Sequence, residues 1–90
     1  MVYAIISDLD YSSGEKGPTG SIRLVYMGEI PKPKDMPGRI INNYYHDEFY
    51  FSNYEDAKAY FERAQRDWAS PFLDNSRIQF LDDTSRRGGA

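Results

Sequence analysis

One stretch, Phe49 to Trp68 (FYFSNYEDAKAYFERAQRDW), constrains this chain more than any other. Its apolar residues Tyr54, Ala57, Phe61, Ala64 and Trp68 recur at spacings of three and four, which gathers them on one side of a helix. Glu55, Lys58, Glu62, Arg63, Arg66 and Asp67 fall mostly on the other side. Ser52 stands three residues before Glu55, the spacing of a capping box, so the helix is expected to begin there. Such a helix needs an apolar surface to lie on. No other stretch has its periodicity, so strands must supply that surface.

The chain before and after has the pattern for them. Val2 to Leu9 is an apolar, β-branched run with Val2, Ala4 and Ile6 on one side and Tyr3 and Ile5 on the other. A strand apolar on both faces belongs inside a sheet. Residues 10–20 (DYSSGEKGPTG) are turn chemistry, and Ser21 to Gly28 alternates again, which predicts a long-looped hairpin. Glu29 to Gly38 holds Pro31, Pro33 and Pro37, so it reads as an extended connector that is neither helix nor central strand. Arg39 to Tyr45 and Glu48 to Ser52 read as two further strands broken near His46-Asp47, with Asn42-Asn43 as a rival turn. After the helix, Ser70-Pro71 is the expected stop, and Arg77 to Leu81 is a last strand. The expected fold is α+β: a small, mostly antiparallel sheet of four to five strands, with one amphipathic helix on one face, in the order β-β-β-β-α-β. Residues 1–82 form one domain, and 83–90 a polar, disordered tail.

Composition limits the means of stabilisation. Ninety residues without cysteine cannot use disulfides or thiolate metal sites, so the core must come from packing. With 40% hydrophobic and 16% aromatic residues it can. No apolar run reaches the roughly 20 residues of a membrane span, and the acids after MVYAII do not suit a signal peptide. The expected location is the cytoplasm. A net charge of −3 disfavours a broad grip on duplex DNA.

Several constellations invite chemistry. Ile5 to Asp10 (IISDLD) resembles the first motif of haloacid-dehalogenase-type phosphatases, a resemblance that implies Asp8 as nucleophile and Asp10 as acid/base. The next residues, Tyr11-Ser12, depart from that motif, and the family's later Lys and acidic pair need a larger sheet than ninety residues can build. Counting Asp8 as the first position of a calcium loop puts Ser13 where Gly is required and Thr19 where Glu is required. His46-Asp47-Glu48 cannot aim three consecutive side chains one way from a strand, and no second His or Cys joins them. The expectation is therefore no enzyme, no metal and no cofactor.

What remains is binding. The aromatics exceed what one small core requires, and one helix leaves half the sheet bare. The chain reads as a small acidic protein-binding module whose contact residues are Asp8, Asp10, Glu15, Tyr44, Tyr45, Asp47, Glu48, Tyr50, Glu55 and Asp56. Its expected partner is another protein with a basic surface, or a second copy covering the bare face. In size and layout it resembles small phage and mobile-element inhibitors of host machinery, anti-CRISPR proteins among them, which implies a host defence or nucleic-acid-processing target. The alternative is a single-strand nucleic-acid binder stacking bases on Tyr44, Tyr45 and Tyr50.

Overall fold

The computed structural model describes residues 1–14, 17–68 and 77–84. Its elements are β1 (Val2–Asp10), β2 (Thr19–Gly28), β3 (Met36–Ile41), β4 (Tyr44–Phe51), α1 (Tyr54–Asp67) and β5 (Ile78–Asp82). The strands form one five-stranded sheet in the order β3-β4-β1-β2-β5. β1, apolar on both faces, takes the centre, antiparallel to β2 and to β4. β5 pairs with β2 in parallel, Ile22 opposite Phe80. The sheet is thus mixed but mostly antiparallel, with one helix, and the expected fold class and element order hold.

The helix lies where its periodicity demands. Ala57 and Phe61 are buried against Tyr3, Ile5, Leu9, Ile22, Leu24 and Ile78. Phe61 meets Phe80 edge-on at 6.1 Å between ring centres. Lys58 reaches across to Asp82 at 2.9 Å and fastens the helix to β5. Burying two apolar side chains of this kind, with the half-buried Tyr54, Ala64 and Trp68 beside them, contributes several kcal/mol at about 25 cal/mol per Å².

Two local expectations need correction. The helix is capped by Asn53, not Ser52: the Asn53 side chain accepts the Asp56 N–H at 2.9 Å and donates to the Asp56 carboxylate at 3.1 Å. The reciprocal box therefore runs from Asn53 to Asp56, one residue later than the Ser-x-x-Glu spacing implies, because Asn satisfies a first-turn amide as well as Ser does. The second correction concerns the chain reversal, which is not near His46-Asp47. β4 runs unbroken through both residues, and the turn is Asn42-Asn43, with φ of 52° and 69°. Two consecutive left-handed residues make the primed turn that matches strand twist, and Asn tolerates it. Tyr11 N–H donates to the Asn43 carbonyl at 2.8 Å, which ties this tip to the end of β1.

β3 also begins earlier than expected, inside the proline-rich connector. Pro37 is accommodated because β3 is an edge strand, and the register slips between Met36 and Arg39. The ring of Tyr45 occupies the space a side chain at Gly38 would need. The expected helix stop at Ser70-Pro71, the following loop and most of the 83–90 tail lie outside the described residues. Among the described residues, no helix is long and apolar enough to cross a membrane.

Candidate functional site

The face opposite α1 carries a small apolar cluster, Val2, Ala4 and Tyr50, with Ile6 and Val25 packed against it. Beside this cluster the sheet register builds a polar chain. Asp8 on β1 lies directly opposite His46 on β4. Glu48, two residues further along β4, shares the His46 face. His46 Nδ1 lies 2.5 Å from Asp8 Oδ1, and Nε2 lies 2.7 Å from Glu48 Oε2. Each carboxylate also takes a phenol: Tyr44 donates to Asp8 at 2.7 Å, and Tyr50 donates to Glu48. The result is a continuous run, Tyr44–Asp8–His46–Glu48–Tyr50, across two strands.

Its electrostatics follow from the geometry. Hydrogen bonds to Asp8 and then to Glu48 raise the His46 pKa above its ordinary 6.5, so the imidazolium is favoured. Burial pushes Asp8 upward, but the bonds from His46 and Tyr44 outweigh it and leave its pKa lowered. The bonds from Tyr50 and then His46 lower Glu48, and its bond to Glu48 pushes the Tyr50 phenol up to about 12. The clamp therefore holds one imidazolium between two carboxylates and keeps a net charge of −1. Among the described residues, no group of three or more His, Asp or Glu is placed to hold a metal ion.

Asp47 points the other way, under the helix. It is 5% exposed and sits opposite Ser7 in the β1–β4 ladder. One carboxylate oxygen accepts from Tyr45 at 2.7 Å, and the other, Oδ1, has no hydrogen-bond partner. Tyr45 and Asp47 are among the residues lining a cleft of about 490 Å³ between the sheet and the second half of α1. Its lining includes the short side chains of Ser7, Asp47 and Ala64, which fill less space than larger apolar groups would.

The third feature is the β3 edge. Ile40 and Ile41 are 65% and 59% exposed, and Tyr44 is 47% exposed. Met36, Arg39, Ile41, Tyr44 and His46 line a shallow groove of about 150 Å³, which joins this apolar lip to the polar clamp.

The residues expected at the contact surface therefore separate. Asp8, Asp10, Tyr44, Glu48 and Tyr50 come together on the helix-free side, with Asp10 accepting from Ser12 at 2.9 Å. Tyr45 and Asp47 lie on the helix side, and Glu55 and Asp56 lie in the first turn of α1. Glu15 lies outside the described residues. The three tyrosines expected to stack bases do not share a platform, since Tyr45 is on the opposite face and Tyr50 is only 8% exposed. Sequence reasoning weighed His46 as a metal ligand and as a partner for a catalytic nucleophile, and missed its pairing with Asp8, which is 38 residues away. It also read Ile40-Ile41 as part of a strand without placing that strand at an edge, although the nearby Pro37 was the signal, since proline in a strand is confined to edges and bulges. The fold defines a small α+β domain in which, among the described residues, the single helix lies on one face of the sheet and the other face buries Val2, Ala4 and Tyr50. No protein-family model matches the chain, and neither a curated protein nor a solved structure matches it.

Proposed function

We propose that this chain is a non-enzymatic protein-binding module that docks its partner along the β3 edge and the adjoining helix-free face. The observation that carries the reading is the exposure of Ile40 and Ile41 on an edge strand, beside exposed Met36 and Tyr44. An unpaired edge is a template for another chain, and natural proteins usually blunt it with charge. Here Pro37 and Arg39 blunt one part, while the two isoleucines next to the turn remain bare.

A partner strand laid against β3 would gain main-chain hydrogen bonds from the edge and side-chain burial from the isoleucines. Asp8, Asp10 and Glu48 beside them suit basic residues on that partner, whereas Glu55 and Asp56, at the start of α1, stand apart from this surface. Lack of cysteine suits a reducing compartment, so the reading places the module in the cytoplasm. Its size and layout suit an accessory inhibitor of a host protein, of the kind phage and mobile elements encode.

The test is capture by immobilised protein from native host extract, compared with Ile40→Lys and Ile41→Lys. The reading expects a stoichiometric partner held by the wild type and lost by both variants, with folded-state circular dichroism unchanged. Equal capture by all three forms would reject the edge as the docking surface. Light scattering on the purified wild type separates a second copy of this chain from a foreign partner.

A further inference from the structure

The groove beside Ile41 shares two of its walls with the polar run on the same face. Met36, Arg39, Ile41, Tyr44 and His46 line it, and Tyr44 and His46 also belong to the clamp. The geometry points to a proton switch at His46, which holds this groove in shape while the imidazole is charged, releases it when the imidazole is neutral, and so regulates docking at the β3 edge. What the groove receives rests on the edge docking proposed above; the switch itself belongs to the chain alone.

The hydrogen-bonding capacity of the ring carries it. Nδ1 faces Asp8 Oδ1 at 2.5 Å, and Nε2 faces Glu48 Oε2 at 2.7 Å. An ionised carboxylate only accepts, so each ring nitrogen must supply an N–H, and only the imidazolium has two. Neutral imidazole keeps one, which leaves a nitrogen lone pair against a carboxylate oxygen at the other end. Neither tautomer relieves this, because both partners are carboxylates whose lowered pKa values keep them ionised. One contact must open. Opening at Nδ1 disturbs Tyr44, whose hydroxyl donates to the same Asp8 oxygen at 2.7 Å. Opening at Nε2 frees the ring to turn, and the ring is itself a wall of the groove. Its side chain is 31% exposed, so solvent protons reach it.

The surroundings set the sense of the switch. Asp8 meets the ring from β1 and Glu48 from β4, with the phenols of Tyr44 and Tyr50 on those carboxylates. Arg39 lies opposite His46 on β3, and Arg23 on β2 acts on Asp8. Asp10 acts on Tyr44 and Asp35 on Tyr50, while α1 lies across the sheet on the other face. The carboxylates dominate and raise the His46 pKa above 6.5, so the closed groove persists below that value and is lost as pH rises through the folded one. Loss of the proton also makes the clamp more negative, which draws a basic partner in the opposite sense. Salt screens that pull between exposed charges but does not restore a displaced wall.

NMR on the isolated chain reads the switch. Near about pH 6 both ring nitrogens of His46 should show protonated ¹⁵N shifts, and NOEs should join the Ile41 methyls to the Tyr44 ring, its cross-strand neighbour. Near about pH 9 one nitrogen should be bare and those NOEs weakened. His46→Gln, neutral at every pH, should show the weakened NOEs throughout. Should it fail to fold, Asp8→Asn serves instead: its amide either accepts from Nδ1 or donates to it, so the NOEs should become independent of pH. A partner recovered by edge capture gives the second readout. In about 0.5 M salt its affinity should be at least about fivefold higher near about pH 6 than near about pH 9, and His46→Gln should abolish that ratio. NOEs that do not change with pH, or that change equally in a folded variant, would overturn the switch. An affinity ratio of one, or one retained in His46→Gln, would overturn its control of docking. If no partner is captured at all, the edge reading fails and the NMR titration still decides the switch.

Discussion

Asp47 and His46 are neighbours in sequence with opposite fates. His46 is paired on both ring nitrogens, while Asp47, one residue on, faces the helix with half its carboxylate unpaired. A core position kept polar and only partly satisfied lowers stability, and an apolar replacement removes that cost. Asp47→Leu is therefore expected to raise the unfolding free energy by about 1 kcal/mol, read as a higher urea midpoint at unchanged slope. A clear loss of stability would show that the carboxylate holds the fold together. For His46 the sign runs with its raised pKa. Stability from the clamp is fully present below the unfolded value of 6.5 and is lost as pH rises through the higher folded value. Asp8 and Glu48 shift the other way, so their share is present above their unfolded values and is lost only as pH falls through the lowered ones. The gap in melting temperature between wild type and His46→Gln should be widest near about pH 6 and narrow steadily toward about pH 9. A gap constant across that range would mean the imidazolium contributes nothing. Gly20 is a third residue fixed by its surroundings, with φ of 140° and the Asp8 carbonyl where a side chain would stand. Gly20→Ala should cost about 1–3 kcal/mol in the same unfolding assay.

At the scale of elements, the helix was legible because five apolar residues repeat along its length, and periodicity survives small errors of boundary. The exact cap was not. Ser52 and Asn53 are both good caps, and sequence spacing cannot tell which one adopts extended geometry. Asn53 does, with φ of −144° and ψ of 159°. Asn53→Ala should destabilise by about 1 kcal/mol, while Ser52→Ala should be close to neutral; thermal melts of the two variants decide between the boxes. The β3–β4 reversal was blurred for a similar reason, since His46-Asp47 is as polar as Asn42-Asn43. What separates the two is the positive φ that only Asn readily accepts, together with the pairing of His46 with Asp8 from the neighbouring strand. That second fact is tertiary and lies beyond any local pattern. The parallel β5 was likewise invisible, because strand direction depends on where the helix delivers the chain.

At the scale of the molecule, the sheet is covered unevenly. α1 shields one face, while on the other a hydrogen-bonded clamp and a thin apolar cluster take the place of a second layer. That imbalance could be read from one amphipathic helix and an excess of aromatics. The distribution of the aromatics could not: Tyr45 closes over Gly38, Tyr50 sinks beside Ala4, and of these three tyrosines Tyr44 alone stays broadly exposed. Among the described residues the most exposed large apolar side chains are consequently those of Ile40 and Ile41 at the β3 edge, with Met1, and not a tyrosine platform. Amide hydrogen exchange, followed by NMR on dilute protein, tests this most directly. The account predicts the slowest exchange in β1, which is paired on both sides, and rapid exchange at the outward amides of β3. Uniformly slow exchange along β3 in the dilute, isolated chain would mean that the edge is already covered, and would contradict the account.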